Sequence, residues 1–184
     1  MPMKLRLSAA LLVLGILAAD TANAEPVRAT VITSPTPLPQ PATRRRIFLA
    51  GSIEMGKAAD WQAEVVAALR DLDVEILNPR RSDWDRAWKP DLSDPHFKQQ
   101  VEWELDALEA ADVIVMFLAP DTQSPISLLE LGLHARSGKL IVFCPPGFWR
   151  KGNVDAVTAC YGVETADSLT ALVVAARRRL TQPR

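Results

Sequence analysis

Apolar and polar positions along the chain switch repeatedly between a strand pattern and a helix pattern. Ile47-Phe48-Leu49-Ala50 is a short apolar run closed by Gly51 and Ser52, which suits a first buried strand. Trp61, Val65, Val66, Leu69 and Leu72 then recur at helical spacing, and Val74-Glu75-Ile76-Leu77 reads as a second strand ending at Asn78-Pro79. A loop rich in Trp, Asp and Pro runs to about Pro95, followed by a helix with the apolar stripe Phe97, Val101, Leu105, Leu108 and Ala111. Asp112 leads into the run Val113 to Leu118, the clearest buried strand of the chain. Ile126 to Arg136 is expected to be helical, Leu140 to Cys144 a strand, Ala159 to Val163 a last strand, and Leu169 to Leu180 the closing helix.

Strands alternating with helices of this length make right-handed crossovers, and a parallel sheet covered on both faces follows. The expected fold is therefore α/β, a flavodoxin-like doubly wound sheet of five parallel strands. In the 2-1-3-4-5 strand order, ligands bind beyond the carboxyl ends of the strands, between the first and third. Gly51-Ser52 and the segment from Ala119 to Glu130 line that crevice.

The amino-terminal region breaks the alternation. Lys4 and Arg6, the apolar run from Leu7 to Ala19, and the small-residue site Ala22-Asn23-Ala24 have the layout of a cleavable export signal over residues 1–24. The run is short for a bilayer span, which needs about 20 residues. Export to the periplasm or medium is expected if the signal is used, and a cytoplasmic location if it is not, with no stable membrane insertion after cleavage. The following stretch, EPVRATVITSPTPLPQP, carries enough proline to suggest a solvated linker over residues 25–45, leaving residues 46–184 as one domain.

With 184 residues, 48% hydrophobic and 23% charged, the chain has enough apolar surface for one ordinary core. The formal charge of −1 provides no basic field to attract a phosphate backbone, so nucleic acid is not expected as a partner. Cys144 and Cys160, both assigned to strands, are expected to pack as small buried hydrophobes, and an oxidising compartment would permit a bridge between them without requiring one. His96 and His134 stand far apart without neighbouring thiols, so neither a metal nor another cofactor is expected.

The chain has no G-x-G-x-x-G, no G-x-x-x-x-G-K-[ST] and no G-x-S-x-G, which removes the standard apparatus of dinucleotide, P-loop and nucleophile-elbow chemistry. Two carboxylates stand out instead. Glu130 interrupts the apolar stretch Ile126 to Leu133 in the first turns of a helix that starts at the ligand edge. A buried carboxylate there needs a donor, a raised pKa or a substrate; otherwise it reaches water or stabilises the helix start. Glu104 falls on the stripe of Phe97, Val101 and Leu108 and should face the sheet, either as a functional group or in an ion pair with Arg80 or Arg81.

Three segments, in this order, resemble the nucleoside 2-deoxyribosyltransferases and the related deoxynucleotide N-glycoside hydrolases. They are Phe48-Leu49-Ala50-Gly51-Ser52-Ile53, then Trp103-Glu104-Leu105-Asp106-Ala107-Leu108 running into Ala111-Asp112-Val113-Ile114, then Ser124-Pro125-Ile126-Ser127-Leu128-Leu129-Glu130-Leu131-Gly132. Asn78 to Arg81 and Trp149 to Val154 look like a branch described as deoxyribosyltransferase-like.

The resemblance implies that Glu130, before Leu131-Gly132, is the nucleophile toward the anomeric carbon. It implies that Glu104, eight residues before Asp112, handles the proton of the departing base. Ser124, six residues before Glu130, takes a position that contacts sugar or phosphate and is Asp in the transferases and Ser in the hydrolases. Gly51, Ser52 and Asn153 complete the implied substrate-binding set. The chain has no tyrosine near Phe48, where many members use one to orient the nucleophile, so cleavage is better supported than transfer.

The implied reaction proceeds through a glycosyl-glutamate intermediate, with Glu130 ionised and Glu104 more readily protonated. The implied partners are a nucleoside or nucleotide and further copies of the chain. Arg80, Arg81, Arg150 and Lys151 are either phosphate ligands or solvated charge, and Trp84, Trp88 and Trp149 either stack a base or pack under a loop. Two rival readings are a non-catalytic nucleoside-binding module and a purely structural protein.

Overall fold

The computed structural model describes residues 28–56 and 58–183; the export signal expected over residues 1–24 lies outside them. Among the described residues there are six strands: β1 (Thr30–Thr33), β2 (Arg45–Gly51), β3 (Val74–Asn78), β4 (Val113–Phe117), β5 (Leu140–Phe143) and β6 (Glu164–Ala166). They form one parallel sheet in the order β1-β3-β2-β4-β5-β6. The helices are α1 (Trp61–Leu69), α2 (Pro95–Ala110), α3 (Pro125–His134), α4 (Lys151–Tyr161) and α5 (Leu169–Thr181).

Alternate residues of each strand feed two cores, as the period of the pleat requires. Phe48, Ala50, Ile114, Met116 and Val142 pack with Trp103, Leu108, Leu131 and Val154 of α2, α3 and α4. Ile47, Leu49, Val113, Val115 and Ile141 pack with Trp61, Val65, Leu69, Leu172 and Ala176 of α1 and α5. Four of the five expected strands take the expected relative order, and β6 fills the last place just beyond the segment expected there; the crossing point lies between β2 and β4, where Ile47 pairs with Val113 and Gly51 with Phe117.

The sixth strand comes from the segment read as a linker. Thr30-Val31-Ile32-Thr33 is a β-branched run that pairs with β3, and Ile32 is buried in the core. It tolerates its proline-rich surroundings because it sits at the edge, where nothing beyond it requires a backbone N–H. Behind it, Arg46 and Glu75 form a buried ion pair at 2.6 Å, and Arg46 also donates to the Pro39 carbonyl. The chain after β1 is therefore tied to the sheet.

Residues 159–161 are helical, not part of a last strand. Val154, Val157 and Thr158 face inward at helical spacing, and Gly162 ends α4 in the left-handed region (φ 64°), its N–H donating to the Thr158 carbonyl. The strand follows at Glu164. Cys160 is consequently exposed on α4, Cys144 lies half-buried just past β5, and both are free thiols.

Candidate functional site

The carboxyl ends of β2 and β4 approach very closely. Gly51 adopts φ +133°, and a Cβ there would overlap the Phe117 carbonyl and lie 2.8 Å from the Phe117 nitrogen. Only glycine meets both demands. The Ser52 N–H then donates to the Phe117 carbonyl at 2.9 Å, which points the Ser52 side chain at the loop between β4 and α3.

There it meets Thr122 at 2.8 Å and Ser124 at 2.7 Å, all three residues being buried. The direction of these bonds follows from counting donors. Thr122 donates to the Ala119 carbonyl (2.8 Å), and the Ser52 hydroxyl accepts the Ala119 N–H (2.9 Å). Ser52 therefore donates to Thr122, and Ser124 donates to Ser52, which leaves lone pairs as the remaining capacity of Ser124. Ser124 itself is held at φ 43°, and Glu54 accepts the N–H groups of Gln123 and Ser124 at 2.9 and 2.8 Å.

Helix α3 reverses the usual polarity of a surface helix. Ser127, Glu130, Leu131 and His134 are its buried residues, whereas Ile126, Leu129 and Leu133 are exposed. Glu130 is only 8% exposed, and among the described residues no hydrogen-bond donor faces its carboxylate. Burial and the nearby Glu104 carboxylate push its pKa up to about 8. Burial lowers the His134 pKa, which favours the neutral ring.

Glu104 is half-buried on α2, whose buried residues are Gln100, Trp103, Ala107 and Leu108. The stripe expected through Phe97, Val101 and Leu105 is thus turned, and Leu105 is exposed, because Trp103 packs on Phe48 and donates its ring N–H to the Thr36 carbonyl at 2.7 Å. Burial raises the Glu104 pKa, and a hydrogen bond from the Gln100 amide (2.8 Å) opposes the rise.

Neither Arg80 nor Arg81 pairs with Glu104: Arg80 binds the Ala58 carbonyl and Asp60, and Arg81 binds Asp83 at 2.6 Å. Burial raises the pKa of both carboxyls, and the charge of each makes the other harder to ionise.

The structure thus brings Gly51, Ser52 and Ser124 together and couples Glu104 to Glu130. Asn153 lines a groove of about 320 Å³ with Leu128 and Leu131 of α3, Trp149 and Arg150. A cavity of about 660 Å³ opens between β5, β6 and α4; of the candidate residues it touches Lys151 and neither of the two glutamates.

The tryptophans and basic residues have partners of their own. Trp84 packs on Trp88, which stacks on His96 and lies under Arg81. Arg150 covers Trp149, and Lys151 pairs with Asp155. Glu54, Thr122 and Gln100 escaped the sequence reading: Glu54 opens a single 3-10 turn, Thr122 lies in a loop, and Gln100 lay off the apolar stripe drawn for its helix. Among the described residues no group of His, Cys, Asp or Glu is placed to hold a metal ion.

The class so defined is a parallel α/β sheet carrying two coupled carboxyls, half-buried Glu104 on α2 and buried Glu130 on α3. Residues 44–148 match the family model described as nucleoside 2-deoxyribosyltransferase like, and the chain belongs to that family. Among solved structures it is similar to a conserved protein from Enterococcus faecalis V583, with a TM-score of 0.54 and 15% identity over 74% of this chain and 99% of that one. That likeness concerns the fold. No curated protein matches the sequence.

Proposed function

We propose that this protein breaks the N-glycosidic bond of 2′-deoxynucleosides or their nucleotides, with Glu130 as nucleophile and Glu104 as the group that protonates the departing base, on a flavodoxin-like scaffold. Family membership supports glycosyl chemistry on nucleosides. The observation that carries the residue assignment is the inverted polarity of α3, which buries Glu130 beside a second carboxyl while leaving leucines in water.

In the free site, burial and the Glu104 carboxylate keep a proton on Glu130 at neutral pH. Substrate binding transfers that proton to Glu104. The Glu130 carboxylate then attacks C1′, the bond from C1′ to the base nitrogen breaks, and the nitrogen takes the proton from Glu104. Water or an acceptor base next attacks C1′, returns a proton to Glu104 and releases Glu130. Two displacements retain configuration. Ser124, with lone pairs to offer, accepts from a sugar hydroxyl. Glu54 covers the two N–H groups before α3 that a phosphate would otherwise use, so a nucleoside fits this end better than a 5′-phosphate.

The same reading includes a cleaved export signal over residues 1–24 and self-association through the exposed Ile126, Leu129 and Leu133. Among the described residues no helix is long and apolar enough to cross a membrane. Mass spectrometry of acid-quenched protein after incubation with a 2′-deoxy-2′-fluoronucleoside tests the chemistry. A glycosyl adduct on Glu130 is expected; turnover with no adduct and with inverted product would remove the covalent step.

A second reading has one observation in its favour. A glutamate protonated at neutral pH is a hydrogen-bond donor as well as an acceptor, which suits recognition of a nucleoside without cleavage. It predicts saturable binding with every glycosidic bond intact.

A further inference from the structure

The side chain of Gln100 is buried on α2 one turn before Glu104, and all of its hydrogen-bonding directions are occupied. Its carbonyl oxygen accepts from the Ser34 hydroxyl at 2.6 Å and from the Arg81 guanidinium at 3.4 Å. Its amide nitrogen donates to the Pro79 carbonyl at 3.1 Å and to Glu104 Oε1 at 2.8 Å. A guanidinium has no acceptor and a carbonyl has no donor, so Arg81 and Pro79 each dictate the same orientation of the amide. The opposite flip would set N–H against N–H at Arg81 and oxygen against oxygen at Pro79. Whatever Glu104 does, it therefore receives a donor at Oε1.

We propose that Gln100 is a positioning residue: by donating to Oε1 of Glu104 it confines the acidic proton to Oε2, the oxygen left to deliver it, and Ser34 and Arg81 lock it in that orientation. This rests on the reading of Glu104 as the proton donor. It also gives the chain after β1 a part in the site, since Ser34 follows that edge strand and is itself buried.

Without Gln100, Glu104 could turn either oxygen to the substrate, and its ionised form would lose its one hydrogen bond among the described residues. The titrating group that faces Glu104 is Glu130 of α3, which becomes harder to ionise once Glu104 is charged. Arg81, from the loop after β3, reaches Glu104 only through Gln100 and has its own charge balanced by Asp83.

The test is Gln100→Met, which keeps the length of the side chain and removes both donors, with Ser34→Ala as a milder variant that leaves Gln100 in place. Two readouts are taken on folded protein: the carboxyl titration of Glu104, followed by NMR of side-chain 13C-labelled glutamate, and the pH profile of base release. Gln100→Met is expected to move the Glu104 titration to higher pH and to shift the pH profile of kcat/KM in the same direction. At neutral pH kcat should fall about ten-fold with KM little changed, the loss of a hydrogen bond to a charged group. Ser34→Ala is expected to shift both in the same direction by less.

A Glu104 titration unmoved in both variants overturns the proposal, whether or not the protein proves to be a glycosidase. If wild-type protein releases no base yet Gln100→Met moves the titration, the positioning by Gln100 stands and the catalytic reading of Glu104 is the part that fails. Should Gln100→Met not fold, Ser34→Ala decides by the same titration.

Discussion

Replacing Glu130 by glutamine should make the protein more stable, and by an amount that depends on pH. The pKa of this carboxyl is raised from 4.5 to about 8 in the folded protein, so between those values the native state binds a proton that the unfolded chain has released. Stability then falls as pH rises, because the unfolded state binds fewer protons than the native one. Below pH 4.5 the group is neutral in both states and imposes no cost. Above about 8 the cost is complete, since the native state must hold a buried carboxylate beside Glu104.

At about 1.4 kcal/mol per pH unit, the gap corresponds to about 5 kcal/mol for a site that stays dry. Water reaching the charged carboxylate reduces that to about 2 kcal/mol, or about 5 °C in Tm for a domain of this size. Glutamine has the same shape and no charge. Thermal unfolding of wild type and Glu130→Gln from pH 4 to pH 9 should give coincident Tm values at the acid end and a gap that opens steadily in favour of the variant. A constant difference across the range, or a variant less stable at pH 9, would refute the burial and coupling assigned to Glu130.

Three other substitutions follow from the same geometry. Glu104→Gln removes the neighbouring charge and should lower the Glu130 pKa from about 8, seen as an alkaline-side shift in the carboxyl titration toward lower pH; no movement would show that the two groups do not interact. Gly51→Ala combines φ +133° with backbone overlap at Phe117 and should cost about 3 kcal/mol or more in denaturant unfolding, against less than about 1 kcal/mol if the strand end simply relaxes. Ser52→Ala strips the shared partner of Thr122, Ser124 and the Ala119 N–H and should cost about 2 kcal/mol, with hydrogen exchange rising at Ala119; unchanged exchange there would count against the hydroxyl chain.

Most of the sheet was legible because β2, β3, β4 and β5 are buried on both faces and so read as apolar runs, broken only where Arg46 of β2 and Glu75 of β3 pair with each other. The two errors arose where that signal fails. Thr30 to Thr33 is a short edge strand among prolines, and its pairing depends on the exposed edge of β3, which no local pattern reveals. Val157 to Val163 mixes small, β-branched and aromatic residues that suit either period, and the glycine at 162, a helix stop, was the informative residue.

In the site, Glu130 and Glu104 were visible as charges at inward positions. The network around them was not: Gln100, Thr122 and Glu54 are ordinary polar residues whose importance lies in partners distant along the chain. Nor did sequence indicate how far burial raises both carboxyls, or that Gln100 opposes the rise at Glu104.

The most direct test of the glycosidic reading is base release. Purified protein and Glu130→Ala are incubated with 2′-deoxynucleosides and their 5′-monophosphates, with and without a free acceptor base, and free base is followed by chromatography. The account predicts base release or base exchange by the wild type, faster on nucleosides than on monophosphates, and none by the variant. Intact substrates in every wild-type reaction, with a nucleoside still bound, would contradict it and leave Glu130 as a recognition carboxyl.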